Sequence, residues 1–116
     1  MNCIFCNIDK DRIILENDGA FAIYDGFPVS KGHILIIPKN HIKNYFEADE
    51  QTKAQLWKLV DECKEIADKK FNPQGYNIGI NCGEASGQTV MHLHIHLIPR
   101  YSGDIENPRG GVRGVI

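Results

Sequence analysis

The sequence predicts a single α+β domain over residues 1–116, with an antiparallel sheet of about five strands and one long helix. Short apolar segments bounded by turn residues lie on both sides of one long segment with helical periodicity. The resulting order is strand, strand, strand, helix, strand, strand. A chain of 116 residues fits one domain and leaves little room for a second. A core this small would gain stability from a bound metal or a partner subunit.

The first three strands are predicted from apolar segments in the N-terminal third. Residues 13–15 and 21–24 flank the polar sequence 17–19, Asn-Asp-Gly, which is typical of a hairpin turn. Residues 33–38 form the third strand. Because this segment is almost entirely apolar, we expect both of its faces to be covered by protein.

A long helix is predicted to begin after Asp49, a favourable N-cap, and to end at Pro73. Its apolar residues recur at helical spacing and form one stripe, made of Leu56, Leu59, Val60, Cys63, Ile66 and Ala67. Trp57 lies about 100° away from that stripe by helix geometry. It is therefore either a half-exposed surface residue or part of a subunit interface.

Residues 76–81 and 92–99 are predicted as the last two strands. The second contains His92, His94 and His96, which should share one face because strand side chains alternate, while the leucines and isoleucines between them point into the core. Such a row of imidazoles provides metal ligands or nucleophiles. A solvated surface strand is the alternative, which the otherwise apolar character of the segment disfavours.

The loop before these histidines is rich in small and polar residues. Gly83 and Gly87 allow the backbone to approach a ligand closely, and Gln88 and Thr89 add side-chain donors. Most such loops are only turns. Here the loop leads directly into the histidines, so it would place hydrogen-bond donors around a phosphate beside a nucleophile.

Composition excludes several classes of function. The net charge is −2 with no basic block, so neither nucleic acid nor an anionic membrane is the expected partner. The N-terminus does not resemble a signal peptide, and no apolar stretch approaches the roughly 20 residues of a membrane helix. We therefore expect a cytoplasmic protein with reduced thiols.

The four cysteines then need explanations other than disulfides. Cys3 and Cys6 have the spacing of a redox motif, but no strand precedes them; they also fit half of a zinc site, although the second half of a zinc finger is absent. Cys63 lies on the helix stripe and is expected in the core. Cys82 is a candidate reactive thiol by its position in the loop alone.

The segment 87–100, together with 21–25 and 32–41, resembles the signature of the histidine-triad (HIT) superfamily of nucleotide hydrolases and transferases. The resemblance covers nearly the whole chain. It implies that the second histidine of the triad, His94, is the nucleophile and forms a covalent nucleotidyl-imidazole that water then opens. Imidazole suits this role because it is nucleophilic while neutral near pH 7.

The resemblance also implies the residues around the nucleotide. His96, Gln88 and Thr89 would bind the transferred phosphate, with Asn81 and Gly87 beside them. Asp25 would hold the ribose hydroxyls. His33 would lie behind the triad and support its hydrogen bonding; the alternative is a histidine at a strand start with no role in the site.

Among histidine-triad relatives, including galactose-1-phosphate uridylyltransferase, a comparable Cys-x-x-Cys joins two distant histidines in a structural zinc site. Carried over by resemblance, the Zn²⁺ ligands are Cys3, Cys6, His41 and His92. Four protein ligands fill a tetrahedron and leave no open catalytic position. The family resemblance, the small core and Trp57 together predict a homodimer.

Residues 98–104 are similar to the branch that hydrolyses dinucleoside polyphosphates. This implies cleavage of a diadenosine polyphosphate at the α-phosphate and release of a nucleoside monophosphate, with Mg²⁺ able to accompany the substrate. One alternative is a purine nucleoside phosphoramidase, a branch that usually has a glycine pair directly after the triad and a C-terminal tryptophan, which is missing here. The other is a zinc-stabilised nucleotide-binding module without turnover.

Two further segments bear on specificity. The connection between Phe5 and Ile13 is shorter than in relatives, which leaves the base preference open with Phe5 and Ile8 as candidate pocket residues. Arg109 and Arg113 either meet the distal phosphates or belong to a mobile basic tail.

Overall fold

Within the part of the chain described by the computed structural model, residues 3–113 and 115–116, five strands and one long helix form the domain. They are β1 (Ile13–Glu16), β2 (Ala20–Tyr24), β3 (Ile34–Pro38), α1 (Glu50–Phe71), β4 (Gly75–Gly79) and β5 (Ile95–Arg100). All neighbouring strands are antiparallel, in the order β1-β2-β3-β5-β4. The predicted α+β class is confirmed.

The β1–β2 hairpin turns at the predicted Asn-Asp-Gly sequence. The Asn17 side-chain oxygen accepts hydrogen bonds from the backbone N–H groups of Gly19 and Ala20, at 3.0 and 2.9 Å. Its amide group donates to the Gln55 carbonyl oxygen on α1 at 3.0 Å. One asparagine therefore shapes the turn and attaches it to the helix.

The central strand β3 is buried along its whole length, as its apolar sequence predicts. Ile34 and Ile36 pack in the core between the sheet and α1. Leu35 and Ile37 face the other side and pack with Phe5 and other apolar residues in a second cluster. The sheet is thus covered on both faces, and the second cluster lies on the face that carries the candidate site.

The helix α1 begins and ends as its sequence indicates. Asp49 is the N-cap, and its carboxylate accepts a hydrogen bond from the Thr52 N–H at 2.8 Å. The stripe is buried apart from Ile66, which is only partly buried. Asn72, in the left-handed conformation with φ 53°, caps the C-terminus just before Pro73. Cys63 is buried in the stripe, and this burial raises the pKa of its thiol to about 12.

The last two strands differ most from the predicted bounds, while the first three differ by single residues at their ends. β4 covers residues 75–79 instead of 76–81, and β5 begins at Ile95, so His92 and His94 precede the strand. The physical reason for the second difference is local hydrogen bonding. The Leu93 N–H donates at 2.7 Å to the carbonyl oxygen of Ile42, which lies in the segment after β3. The His92 carbonyl oxygen accepts a hydrogen bond from the His94 ring.

Within the described residues, no helix combines the length and the apolar character needed to cross a membrane.

Candidate active site and metal centre

Cys3, Cys6, His41 and His92 come together beside the end of β3. Their ligand atoms all lie within 4.8 Å of one another. His92 Nδ1 is 3.3 Å from Cys3 Sγ and 3.5 Å from Cys6 Sγ, and His41 Nδ1 is 3.2 Å from Cys6 Sγ. Ordinary zinc–sulfur and zinc–nitrogen bonds in a tetrahedron place sulfur and nitrogen about 3.5 Å apart. The four side chains therefore fit a metal ion.

The hydrogen bonding of His92 orients its ring toward this centre. Its Nε2 lies 2.9 Å from the Pro38 carbonyl oxygen. Since a carbonyl can only accept, Nε2 carries the hydrogen and Nδ1 keeps its lone pair, directed at the two sulfur atoms. A second bond that fixes the tautomer of a ligating histidine is typical of metal sites.

The metal centre adjoins a cavity of about 490 Å³. The N-terminal segment forms one wall, where the buried Phe5 ring packs edge-on against the rings of His92 and His94, with centroids 6.0 and 5.1 Å away. Six of the predicted site residues line this cavity: Asp25, Asn81, Gly87, Thr89, His94 and His96. Its apolar wall consists of Phe5, Ile8, Ile23, Leu35 and Val90 among others.

His94 presents an unprotonated nitrogen. Its Nδ1 lies 2.9 Å from the His92 carbonyl oxygen, so Nδ1 carries the hydrogen and Nε2 keeps its lone pair. Burial lowers the pKa of His94 below its ordinary value, against the smaller opposing effect of this hydrogen bond. The ring is therefore neutral near pH 7, as a nitrogen nucleophile must be.

His96 has the opposite arrangement. The Val29 N–H donates to His33 Nδ1 at 3.0 Å, so His33 carries its hydrogen on Nε2, 2.9 Å from His96 Nδ1. His96 accepts there and carries its own hydrogen on Nε2. Burial, with the neighbouring His94 and His33, lowers the pKa of His96 to about 3. His96 is thus a neutral donor.

Asp25, His33 and His96 are also close enough to hold a metal ion. His33 Nε2 lies 3.5 Å from Asp25 Oδ2 in addition to its contact with His96. However, the bond from Val29 to Nδ1 leaves the hydrogen on Nε2, so His33 has no lone pair facing the other two side chains. The geometry favours a hydrogen-bonded chain at this position.

Gly83 and Gly87 in the predicted phosphate loop have positive φ angles of 90° and 100°. Residues other than glycine rarely adopt such angles. Gln88 is buried, and its carboxamide is engaged inside the loop. Its oxygen accepts from the Gly83 N–H at 2.7 Å, and its nitrogen donates to the carbonyl oxygens of Lys43 and Val90 at 2.8 and 3.0 Å. Gln88 is not among the residues lining the cavity; it holds the loop in shape.

Several lining residues were not predicted from the sequence, among them Arg12, Phe27 and Ile116. Arg12 donates to the Tyr24 carbonyl oxygen at 3.3 Å, Phe27 is 92% exposed, and the Ile116 carbonyl oxygen accepts from the Asn81 amide at 2.8 Å. Phe27 follows the predicted Asp25 by two positions, which is the one signal that could have identified it. Arg109 and Arg113 line a different cavity beside β4 and β5.

Comparison with known proteins agrees with this geometry. The HIT domain family model matches residues 7–103. The chain is 36% identical over 104 residues to the adenosine 5'-monophosphoramidase of Schizosaccharomyces pombe, covering 86% of this chain and 75% of that protein. It is 32% identical over 100 residues to the bis(5'-adenosyl)-triphosphatase of Dictyostelium discoideum, covering 86% and 67%. A zinc-bound histidine triad protein from Mycobacterium smegmatis superposes with a TM-score of 0.81 at 34% identity, covering 90% and 78%.

Proposed function

This chain belongs to the HIT domain family, and from that membership we propose that it is a nucleotidyl hydrolase that cleaves dinucleoside polyphosphates of the diadenosine type at the α-phosphate. The observation that carries the proposal is a pair of adjacent imidazoles with opposite roles. His94 offers a lone pair and His96 offers an N–H, with ring centroids 4.9 Å apart on the wall of one cavity. The lone pair supplies the nucleophile for attack on a phosphorus atom, and the N–H stabilises the charge that develops on the phosphate oxygens.

In the first step His94 Nε2 attacks the α-phosphorus, and a phosphorus–nitrogen bond forms as the bond to the bridging oxygen breaks. The remaining nucleoside polyphosphate leaves with that oxygen, while the His96 N–H donates to a non-bridging oxygen. In the second step water attacks the phosphorus and releases a proton to the solvent, the phosphorus–nitrogen bond breaks, and its electron pair returns to Nε2. A nucleoside monophosphate is released, and the imidazole is restored.

The other predicted residues have positions that suit the substrate. The Asp25 carboxylate lines the cavity and would accept hydrogen bonds from the ribose hydroxyls. Asn81, Gly87 and Thr89 line the part of the wall formed by the loop and would surround the phosphate. The base would pack on the apolar wall that includes Phe5 and Ile8. Gln88 would act through the shape of the loop.

Zinc is the proposed occupant of the metal centre. Two thiolates and two imidazole nitrogens form a donor set typical of structural zinc, and four protein ligands leave no position for substrate. The zinc-bound Mycobacterium smegmatis relative supports this assignment. Bound there, zinc would hold His92, whose carbonyl oxygen orients His94. Mg²⁺ on the polyphosphate and a cytoplasmic location stay predictions.

A turnover assay on diadenosine polyphosphates and adenosine phosphoramidates tests the function. We expect the phosphoanhydrides to be cleaved with release of a nucleoside monophosphate. A preference for the phosphoramidates would favour the alternative, a purine nucleoside phosphoramidase, which the Schizosaccharomyces pombe relative supports. Tight binding of nucleotides without turnover of any substrate would contradict both and leave a nucleotide-binding module.

The proposed homodimer uses the exposed face of α1. Trp57 is 38% exposed and hydrogen-bonds to the hydroxyl of Tyr45, and Phe46 beside it is 77% exposed. Such a patch is typical of a subunit interface.

Sedimentation should show a dimer at micromolar concentration. Trp57→Lys should raise the dissociation constant of the dimer about 100-fold, the effect of losing an aromatic anchor. Val29→Lys, at a comparably exposed apolar residue on the β2–β3 loop, should leave the dimer intact. A wild-type monomer well above micromolar concentration would refute the proposal.

A further inference from the structure

The single N–H of His33 faces two acceptors at once. His33 Nε2 lies 2.9 Å from His96 Nδ1 and 3.5 Å from Asp25 Oδ2. The Val29 N–H holds the other ring nitrogen, so the tautomer cannot exchange without losing that bond. His33 is only 2% exposed, which keeps water from competing for its hydrogen. This hydrogen is therefore bonded to His96, while the Asp25 carboxylate, at ion-pair distance, attracts it electrostatically.

The Asp25 carboxylate connects this hydrogen to the cavity. Its Oδ1 accepts from the Phe27 N–H at 2.9 Å, and its Oδ2 faces His33. The side chain is 17% exposed and lines the cavity, so it remains accessible to a ligand. Hydroxyl groups that donate to this carboxylate would partly neutralise its charge and so weaken its attraction for the His33 hydrogen. The hydrogen bond from His33 Nε2–H to His96 Nδ1 would then become stronger.

A stronger bond from His33 changes what His96 does on its other side. Hydrogen bonds in a chain polarise one another, so donation to Nδ1 makes the Nε2–H a better donor. That N–H is the group assigned to the transferred phosphate. Burial keeps the His96 ring neutral, with a pKa of about 3, so its strength as a donor depends on its hydrogen-bond partner.

We infer that His33 is a positioning residue that couples recognition of the ribose hydroxyls at Asp25 to stabilisation of the phosphate by His96. The inference rests on the proposed function, because it assigns the ribose to Asp25 and the phosphate to His96. It adds that the sugar contributes to the rate of the chemical step as well as to affinity. A substrate without ribose hydroxyls should therefore have a lower kcat as well as a higher KM.

Two variants separate the coupling from a structural role of His33. His33→Asn retains an acceptor for the Val29 N–H but removes the donor at the Nε2 position. His33→Gln retains a donor near that position and serves as the conservative rescue. Both are assayed with a cleaved nucleotide substrate and its 2′,3′-dideoxy analogue.

In the wild type, removal of the hydroxyls should lower kcat about tenfold, the scale of weakening one hydrogen bond to a charged group. In His33→Asn the kcat values for the two sugars should become equal, while their KM values still differ because Asp25 is intact. In His33→Gln the sugar effect on kcat should return. An undiminished sugar effect on kcat in His33→Asn would overturn the inference.

Nitrogen-15 NMR of the histidine rings distinguishes failure of the inference from failure of the proposed function. In the free protein, His33 and His96 should both carry their hydrogens on Nε2. At saturation, adenosine monophosphate should shift the His96 ring nitrogens more than its 2′,3′-dideoxy analogue does. Equal shifts, or a hydrogen on Nδ1 of either ring, would refute the coupling even in a protein without turnover. Absence of turnover combined with the expected shifts would refute only the hydrolase assignment.

Discussion

Replacement of His94 by asparagine should lower kcat about 10⁴-fold and leave nucleotide affinity close to that of the wild type, the pattern expected when a nucleophile is removed. The asparagine amide can still donate to the His92 carbonyl oxygen, as His94 Nδ1 does at 2.9 Å, so the cavity wall should keep its shape. The position of Nε2 is left without a lone pair. Steady-state kinetics and calorimetric binding of a nucleoside monophosphate measure the two quantities.

The covalent intermediate gives this prediction its sharpest form. Rapid quenching with labelled substrate, followed by peptide mapping, should place the nucleotide on His94. His96→Asn is the matched variant, because it removes a neighbouring imidazole but keeps the nucleophile; it should still form the labelled intermediate, only more slowly. A label on another residue, or a His94→Asn enzyme with turnover near the wild-type rate, would contradict the mechanism.

Simultaneous replacement of Cys3 and Cys6 by serine should remove the metal and lower Tm by at least about 10 °C, since the metal binds the folded protein in preference to the unfolded chain. Elemental analysis of the wild type should give about one zinc per chain, the stoichiometry of a four-ligand site. The variant should also lose activity, because His92 is both a ligand and the residue whose carbonyl oxygen orients His94.

Cys82→Ser is the control for this double variant. Cys82 is half-buried in the phosphate loop and lies outside the metal cluster, so its replacement should leave the zinc content unchanged. A chelator should lower the Tm of the wild type toward that of the double variant and have little effect on the double variant itself. Stoichiometric zinc in the double variant would show that the assignment of the ligands is wrong.

The sequence predicted the fold closely because local and long-range signals agree. The hairpin at residues 17–19, the N-cap Asp49 and the almost entirely apolar strand predicted at 33–38 each follow from short-range chemistry, and all are found, the strand beginning one residue later at Ile34. The start of β5 could not be predicted in this way. His92 and His94 alternate with apolar residues as in a strand, but hydrogen bonds to Ile42 and within the segment itself replace the ladder there.

Residues of the candidate site could be predicted where they belong to a recognisable sequence motif. Residues that join the site only through contacts between distant parts of the chain could not be predicted. The family resemblance located Asp25, His94 and His96 on the cavity. The orientation of Gln88 depends on the Lys43 carbonyl oxygen, 45 positions away, which no local pattern indicates. Arg12, directly before β1, lines the cavity, although its sequence neighbourhood contains no signal for a ligand.

The metal cluster also constrains the order of folding. Cys3 and His92 are 89 positions apart in the chain, and His41 lies between them. Closing a flexible segment of that length costs roughly 4 kcal/mol of chain entropy, so contacts of this range form late unless other structure has already shortened the path. During synthesis Cys3 has no His92 partner until 89 further residues have been added to the chain. The N-terminal segment, including the Phe5 wall of the cavity, should therefore dock late, and a nascent chain would assemble this wall only after His92 has been made.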